Sequence, residues 1–369
     1  MIRPLLALVG LVLALALAEG WLAARTARAR MGDSRVGTLF TRAEAENLRK
    51  QPALRIELGG APHRYGRVLG EWRCLSLFDA PADGRALQAW LDALLSAEGL
   101  VHARTVEEAP AYGINTPATV RVSIQGPRAM QDPSGDVLAA LELGLTQPGR
   151  AACFVRRRGT KEIWSVSGDL RAPLEEQRAP GLPPLLAAAA LPPGWLEQSG
   201  ALVAITVERD GTRTVLARRE RELAPQEARP GMQPWTWVLD PEGSAAELDV
   251  EVASAFADFL QQLSYVGVLD PAQRAARGVA TPRAVLTLVP RTGAPLALAF
   301  GSAGTDGRIA LWVEASATLY ELAPEVFALA VPTAKQLEEA GQENPWSAAL
   351  GAQGQQRKQQ RGQPEGQQR

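Results

Sequence analysis

The chain has 369 residues, with 39 Lys and Arg against 40 Asp and Glu; 46% of it is hydrophobic and 21% charged. That length holds two ordinary domains, and the composition is that of a globular protein rather than a disordered one. A net charge of −1 lacks the basic excess of a dedicated nucleic-acid binder, and two cysteines with two histidines cannot build a zinc ribbon or an iron–sulfur cradle.

Residues 1–30 read as a membrane element. From Pro4 to Ala24 the chain is apolar apart from Glu19, and about 20 such residues span the ~30 Å hydrocarbon core. Leu5, Leu11 and Leu17 would sit in that core, with Trp21 at the membrane–water boundary beside Glu19. A cleaved signal peptide is the alternative: Arg3, the apolar run Leu5 to Ala18, and Ala16-Leu17-Ala18 as the cleavage motif. Arg25, Arg28 and Arg30 follow the segment and Arg3 precedes it, so the charge rule hardly discriminates between orientations.

Two similar stretches follow, at residues 36–177 and 200–333. The first opens on the alternating Leu54 to Leu58, turns at Gly59-Gly60 and returns at Arg67-Val68-Leu69. The second opens on Leu202 to Val207, turns at Asp210-Gly211 and returns at Thr214-Val215-Leu216. A Trp-led strand comes next in each, at Trp72 and at Trp235. An amphipathic helix follows: Leu87, Trp90, Leu91, Leu94 and Leu95 form one stripe, and Val252, Phe256, Phe259, Leu260 and Leu263 the other. Tyr112-Gly113-Ile114-Asn115-Thr116-Pro117 then leads into the strand Thr119–Ile124, as Arg277-Gly278-Val279-Ala280-Thr281-Pro282 leads into Ala284–Val289. Leu141 to Gly144 matches Leu298 to Gly301, and Ile163-Trp164 matches Leu319-Tyr320. The drift in offset fits a longer loop at residues 126–136 of the first copy. The predicted fold is α+β: two repeated modules, each an antiparallel sheet with one main packed helix.

Between the copies, residues 178–199 form a Pro- and Ala-rich linker. Leu182, Leu185, Leu186 and Leu191 make it too apolar for a solvated tether, so it is expected to dock. Residues 334–369 are rich in Gln and Gly and are expected to be disordered.

The Asp79-Ala80-Pro81-Ala82-Asp83 lead-in to a helix, the Tyr112–Pro117 turn before a strand and the Leu-Glu-Leu-Gly that follows resemble a bacterial envelope family known as domain of unknown function 4340. This sequence departs from that family's turn at Asn115-Thr116, and its second copy is more divergent. The resemblance implies a single-pass or exported protein whose body faces the periplasm, encoded beside an ABC-type transporter of the gliding-motility kind. It carries no catalytic residue.

The chain contains no Walker A, G-x-G-x-x-G, H-E-x-x-H or G-x-S-x-G motif, so no catalytic, cofactor-binding or metal-binding residue is assigned and no cofactor is expected. Cys74 and Cys153 fall on strands. They read as buried free thiols, with a disulfide in an oxidising periplasm as the alternative. His63 reads as a hairpin residue and His102 as a strand-edge residue. Asp132, Asp136 and Glu142 read as an acidic surface near the long loop, Arg156-Arg157-Arg158 with Lys161 as a solvated basic hairpin tip, and most of Trp72, Trp90, Trp164, Trp235, Trp237 and Trp312 as core. The resulting expectation is a non-enzymatic accessory protein at the inner membrane, contacting an ABC-type permease and ATPase. An envelope enzyme acting on a cell-wall or carbohydrate substrate with paired carboxylates, or a ligand-binding module using the cleft between the copies, are the competing readings.

Overall fold

The computed structural model describes residues 36–362 apart from 133, 148–149, 176–180, 193–194, 196–200, 221–234, 240–245 and 341–342. Leu5, Leu11, Leu17 and Trp21 lie outside the described residues. Among the described residues no helix is long and apolar enough to cross a membrane.

Two antiparallel sheets carry the α+β fold. The first half contributes β1 (Gly37–Thr38), β2 (Ala53–Leu58), β3 (Ala61–Val68), β4 (Glu71–Cys74), β5 (Ala80–Pro81), β6 (Glu98–Ala103), β7 (Val120–Gln125), β8 (Val137–Thr146), β9 (Ala152–Arg157) and β10 (Ile163–Ser167). Their order is β1-β6-β10-β9-β8-β7-β2-β3-β4-β5. Helices α1 (Arg42–Arg49), α2 (Gly84–Leu95) and α3 (Ala172–Glu175) accompany them.

The second half contributes β11 (Leu202–Arg209), β12 (Thr212–Glu220), β13 (Trp235–Leu239), β14 (Ala246–Leu248), β15 (Gly267–Leu269), β16 (Ala284–Pro290), β17 (Leu296–Ala303), β18 (Ile309–Val313) and β19 (Thr318–Leu322), in the order β14-β13-β12-β11-β16-β17-β18-β19-β15. Reversed and stripped of β1, the first order is the same as the second, strand for strand.

Local chemistry explains the helices. Asp83 caps α2 by accepting from the Ala86 N–H at 2.9 Å, and its stripe of Leu87, Trp90, Leu91, Leu94 and Leu95 is buried. In the second half Asp249 caps α4 (Val250–Gln261) by accepting from the Glu251 N–H at 2.7 Å, and Val252, Phe256, Phe259 and Leu260 are buried on the inner face.

The same backbone device recurs on the outer face of each sheet. A tight turn ends at a left-handed glycine, Gly113 or Gly278, each at φ +71° with its N–H donating three residues back at 3.0 Å, and the next residue, Ile114 or Val279, plugs a small apolar cluster. That turn presses its carbonyl onto the strand below. A Cβ on Gly144 would lie 2.1 Å from the Tyr112 oxygen, and one on Gly301 would lie 2.1 Å from the Arg277 oxygen. Both positions therefore demand glycine for close approach. The ladder slips at the same place in both halves, between Leu143 and Thr146 and between Phe300 and Ala303.

The linker docks between the halves. Leu182, Leu185, Leu186, Ala190 and Leu191 are buried in one core that both halves share. On one side the Asp83 N–H donates to the Leu185 oxygen (2.8 Å) and the Ala187 N–H to the Pro81 oxygen (3.0 Å). The Tyr65 hydroxyl also donates to the Pro184 oxygen. On the other side the Ala190 N–H donates to the Leu263 oxygen (2.9 Å) and the Tyr265 hydroxyl to the Ala187 oxygen (2.7 Å). The space between the halves is thus occupied by the chain itself.

The tail departs from expectation. Following α5 (Pro324–Ala330), residues 334–339 form α6 and Pro345–Gly362 form α7. Leu337 and Trp346 are buried, with the Trp346 ring 5.1 Å from Phe256 and its Nε1–H donating to the Leu329 oxygen at 2.9 Å. A single buried aromatic with Leu337 anchors a segment whose average composition reads as unfoldable.

Candidate functional site

The face of the first sheet turned away from α2 is charged. On β2, Arg55 and Glu57 alternate with buried Leu54 and Ile56, and on β7, Arg121 and Ser123 alternate with buried Val120, Val122 and Ile124. Register then aligns two rows across four strands. One row is Glu57, Arg121, Glu142, Arg156; the other is Arg55, Ser123, Ala140, closed by Arg158, whose N–H donates to the Ala140 oxygen at 2.8 Å.

The first row is held by ion pairs. Arg121 Nη1 lies 2.6 Å from Glu57 Oε1, and Arg55 Nη2 lies 3.8 Å from Glu57 Oε2. Arg156 donates through Nε and Nη2 to Glu142 Oε2, at 2.8 and 2.5 Å, and through Nη2 to Asn115 Oδ1 at 2.7 Å. Both side chains of that second pair are only 10% exposed, so it is a buried pair, two guanidinium nitrogens converging on one carboxylate oxygen, completed by the asparagine of the Tyr112–Pro117 turn. Asn115 itself is left-handed, at φ +61°, which an asparagine tolerates better than most side chains.

Above the second row lies a groove of about 210 Å³, floored by the small Ser123 and Ala140 and flanked by Arg55, Arg121 and Arg158. Its rim includes Val137, which with Leu138 is exposed at 55% and 47% beside a slip in the β7–β8 register.

The equivalent second-half rows keep a glutamate and an alanine but none of the arginines. Glu208, Val285, Ala299 and Trp312 stand where Glu57, Arg121, Glu142 and Arg156 stand, and Thr206, Thr287 and Ala297 where Arg55, Ser123 and Ala140 stand. Trp312 packs with Val279, Ala310 and Leu319, and Arg274 covers its ring at 4.7 Å.

Several residues singled out in the sequence do not converge here. Asp132 closes its own turn, accepting from Ser134 N–H and Oγ at 2.9 and 2.7 Å, and Asp136 lies 3.9 Å from Arg128. Only Glu142 of that acidic trio joins the site. Of the predicted basic tip only Arg158 and Lys161 are exposed in the turn, since strand alternation buries Arg156 on the outer face and sends Arg157 to the opposite face. There Arg157 covers the Phe40 ring at 4.7 Å and donates to the Leu39 oxygen at 3.1 Å. The carboxylates in the groove, Glu57 and Glu142, are each engaged by arginine.

Cys74 and Cys153 are both free and buried, so the disulfide is not made. They stand on β4 and β9, five strand spacings apart, on the order of 24 Å at ~4.8 Å per spacing, far beyond the reach of an S–S bond. Burial pushes each thiol up to about 11. His63 sits half-buried opposite Ile56, and burial lowers its pKa. His102 joins Tyr112 and Phe154 in an aromatic cluster with centroids 4.8–5.4 Å apart. Trp72, Trp90, Trp237, Trp312 and Trp346 are buried, as core packing requires. Among the described residues no group of three or more His, Cys, Asp or Glu is placed to hold a metal ion.

Residues 72–180 match the family described as Domain of unknown function (DUF4340). The DUF4340-like span runs from β4 past α3 and contains the Asn115–Glu142–Arg156 network, the Gly113/Gly144 device and the wall residues Arg121 and Arg158. Arg55 and Glu57 come from β2, just before it. No curated protein and no solved structure is matched by the chain.

Sequence reading did not single out Arg55, Glu57, Arg121 or Ser123. The alternation marked them as polar-face residues. That β2 lies beside β7 rather than beside a sequence neighbour was not visible.

Proposed function

We propose that the chain is a non-enzymatic accessory protein of the bacterial envelope, working by protein–protein contact on the outer face of its first sheet. One observation carries this reading. The second half makes the same fold with Val285, Ala299 and Trp312 where the first half has Arg121, Glu142 and Arg156, so the fold itself does not require the charges. A buried ion pair is weak as a stabiliser, and its retention beside an open arginine-walled groove fits a recognition surface. The matching strand order, the paired glycines and the paired register slips support descent of both halves from one duplicated module.

The match over residues 72–180 is to a domain of unknown function, and placement in the envelope is what the resemblance to that family implies. In this reading residues 4–24 anchor the chain in the inner membrane, the body lies in the periplasm, and the partners are an ABC-type permease and its ATPase. Affinity purification from detergent-solubilised membranes tests it: co-recovery of a permease and an ATPase is expected, and a chain recovered alone in every detergent sinks the reading. Protease added to spheroplasts should digest the body; protection until lysis would put it in the cytoplasm instead.

A further inference from the structure

The groove on the first sheet has features that name the chemistry of its occupant. Arg158 is exposed and makes no side-chain hydrogen bond or ion pair among the described residues, while Arg55 is held only at 3.8 Å from Glu57. Arg121 spends one nitrogen on Glu57 and remains half exposed. A guanidinium carries five N–H donors in a planar fork, so all three keep donors to offer. They rise around a floor of Ser123 and Ala140, whose small side chains leave the space open. Counted with Arg156, four guanidiniums face the two carboxylates of Glu57 and Glu142, a local surplus of positive charge in a chain that is nearly neutral overall.

The rim is not uniformly charged. Val137 stands open to solvent at the edge of the groove, with the exposed Leu138 next to it in the chain, where a register slip interrupts the regular alternation. A purely inorganic anion would gain nothing from them. A carboxylate carried on a chain with aliphatic neighbours would use both features.

We propose that this groove binds an acidic, aliphatic segment of a partner protein, seating a Glu or Asp carboxylate over Ser123 and Ala140 between Arg55 and Arg158. The proposal rests on the accessory reading above for the kind of partner, and on charge complementarity for its chemistry. The second half offers no such site, because its equivalent rows carry Thr206, Thr287, Val285 and Trp312.

The test uses the full chain in detergent micelles and a fluorescein-labelled peptide of alternating glutamate and leucine, with its glutamine counterpart as control. Anisotropy should show the acidic peptide binding at least about tenfold tighter than the control, with affinity falling as ionic strength rises. The double variant R55A/R158A should lose at least about tenfold in affinity for the acidic peptide while keeping the wild-type thermal unfolding curve, since both side chains project from the surface. Equal binding of the two peptides, or unchanged binding by R55A/R158A, overturns the proposal. So does saturable binding of inorganic phosphate that leaves the acidic peptide without affinity. Pull-downs separate the two claims. If R55A/R158A still recovers the same membrane partners, the groove proposal fails and the accessory reading stands. If the wild type binds acidic peptide yet recovers no partner, the accessory reading fails alone.

Discussion

The two halves of this chain solve one folding problem twice with different outer faces. Both place a capped amphipathic helix on the inner side of an antiparallel sheet, and both press a tight turn onto a strand glycine on the other side. In the first half, four strands then present Glu57, Arg121, Glu142 and Arg156 in a row; in the second, the row is Glu208, Val285, Ala299 and Trp312. The inner faces are constrained by burial, since each must fill a core. The outer faces are not, and it is there that the halves diverge. A feature present in only one of two equivalent frames is the better candidate for function, because the other frame serves as its structural control.

The free edges also differ. The linker closes the β5 edge of the first half through Leu185 and Leu186, whereas α6 brings Leu337 to the β14 edge of the second. The double variant L185S/L186S should have the largest effect, on the order of 5 kcal/mol at ~2–5 kcal/mol per truncated buried leucine, with faster protease cleavage near the linker. L337S should cost less and leave linker cleavage unchanged. If proteolysis shows identical patterns for both, the linker is not what couples the halves.

The buried charge pair gives a sharper handle. E142A leaves the Arg156 guanidinium buried beside Asn115 alone, and should cost roughly 3–5 kcal/mol in denaturant unfolding. Transplanting the second half's solution as E142A/R156W should restore much of that loss. A single variant as stable as wild type would mean the pair is solvated and the contrast between halves carries no energy.

G144A and G301A probe the shared device. Each new Cβ would meet a carbonyl oxygen at 2.1 Å, so each should destabilise by ~1–3 kcal/mol or more, and by similar amounts. A large cost at one site with none at the other would end the equivalence of the two turns.

The smallest effect concerns His63, for which the second half has no counterpart histidine. Burial lowers its folded pKa below the unfolded value, so the unfolded state binds more protons in the window between them. Stability should fall as pH drops below the usual histidine range, and H63Q should flatten that slope. A slope unchanged by H63Q would assign the acid sensitivity elsewhere.

Much of this fold was legible in one dimension. Period-2 alternation marked β2, β7, β11 and β16, and helical stripes marked α2 and α4, because each element buries one face and spacing records which residues must point inward. The recurrence of the Gly113 and Gly278 turns revealed the repeat before any contact was known. The linker's leucines announced that it would dock. The short edge strands β5, β14 and β15 were not legible, since two or three residues carry no period. Nor was the helical tail, where Trp346 outweighs a glutamine-rich average.

What the sequence determined by itself was therefore the set of residues that must leave water, since burial imposes a local rhythm that any reader can count. What only the tertiary structure decided was adjacency. Arg55, Ser123, Ala140 and Arg158 come from four separate places in the chain, and nothing in their local patterns says that β2 pairs with β7 or that Arg156 and Arg158 face the groove while Arg157 turns away to Phe40. Hydrogen-bond register across strands fixes that meeting, and register is a property of the folded sheet rather than of any one strand.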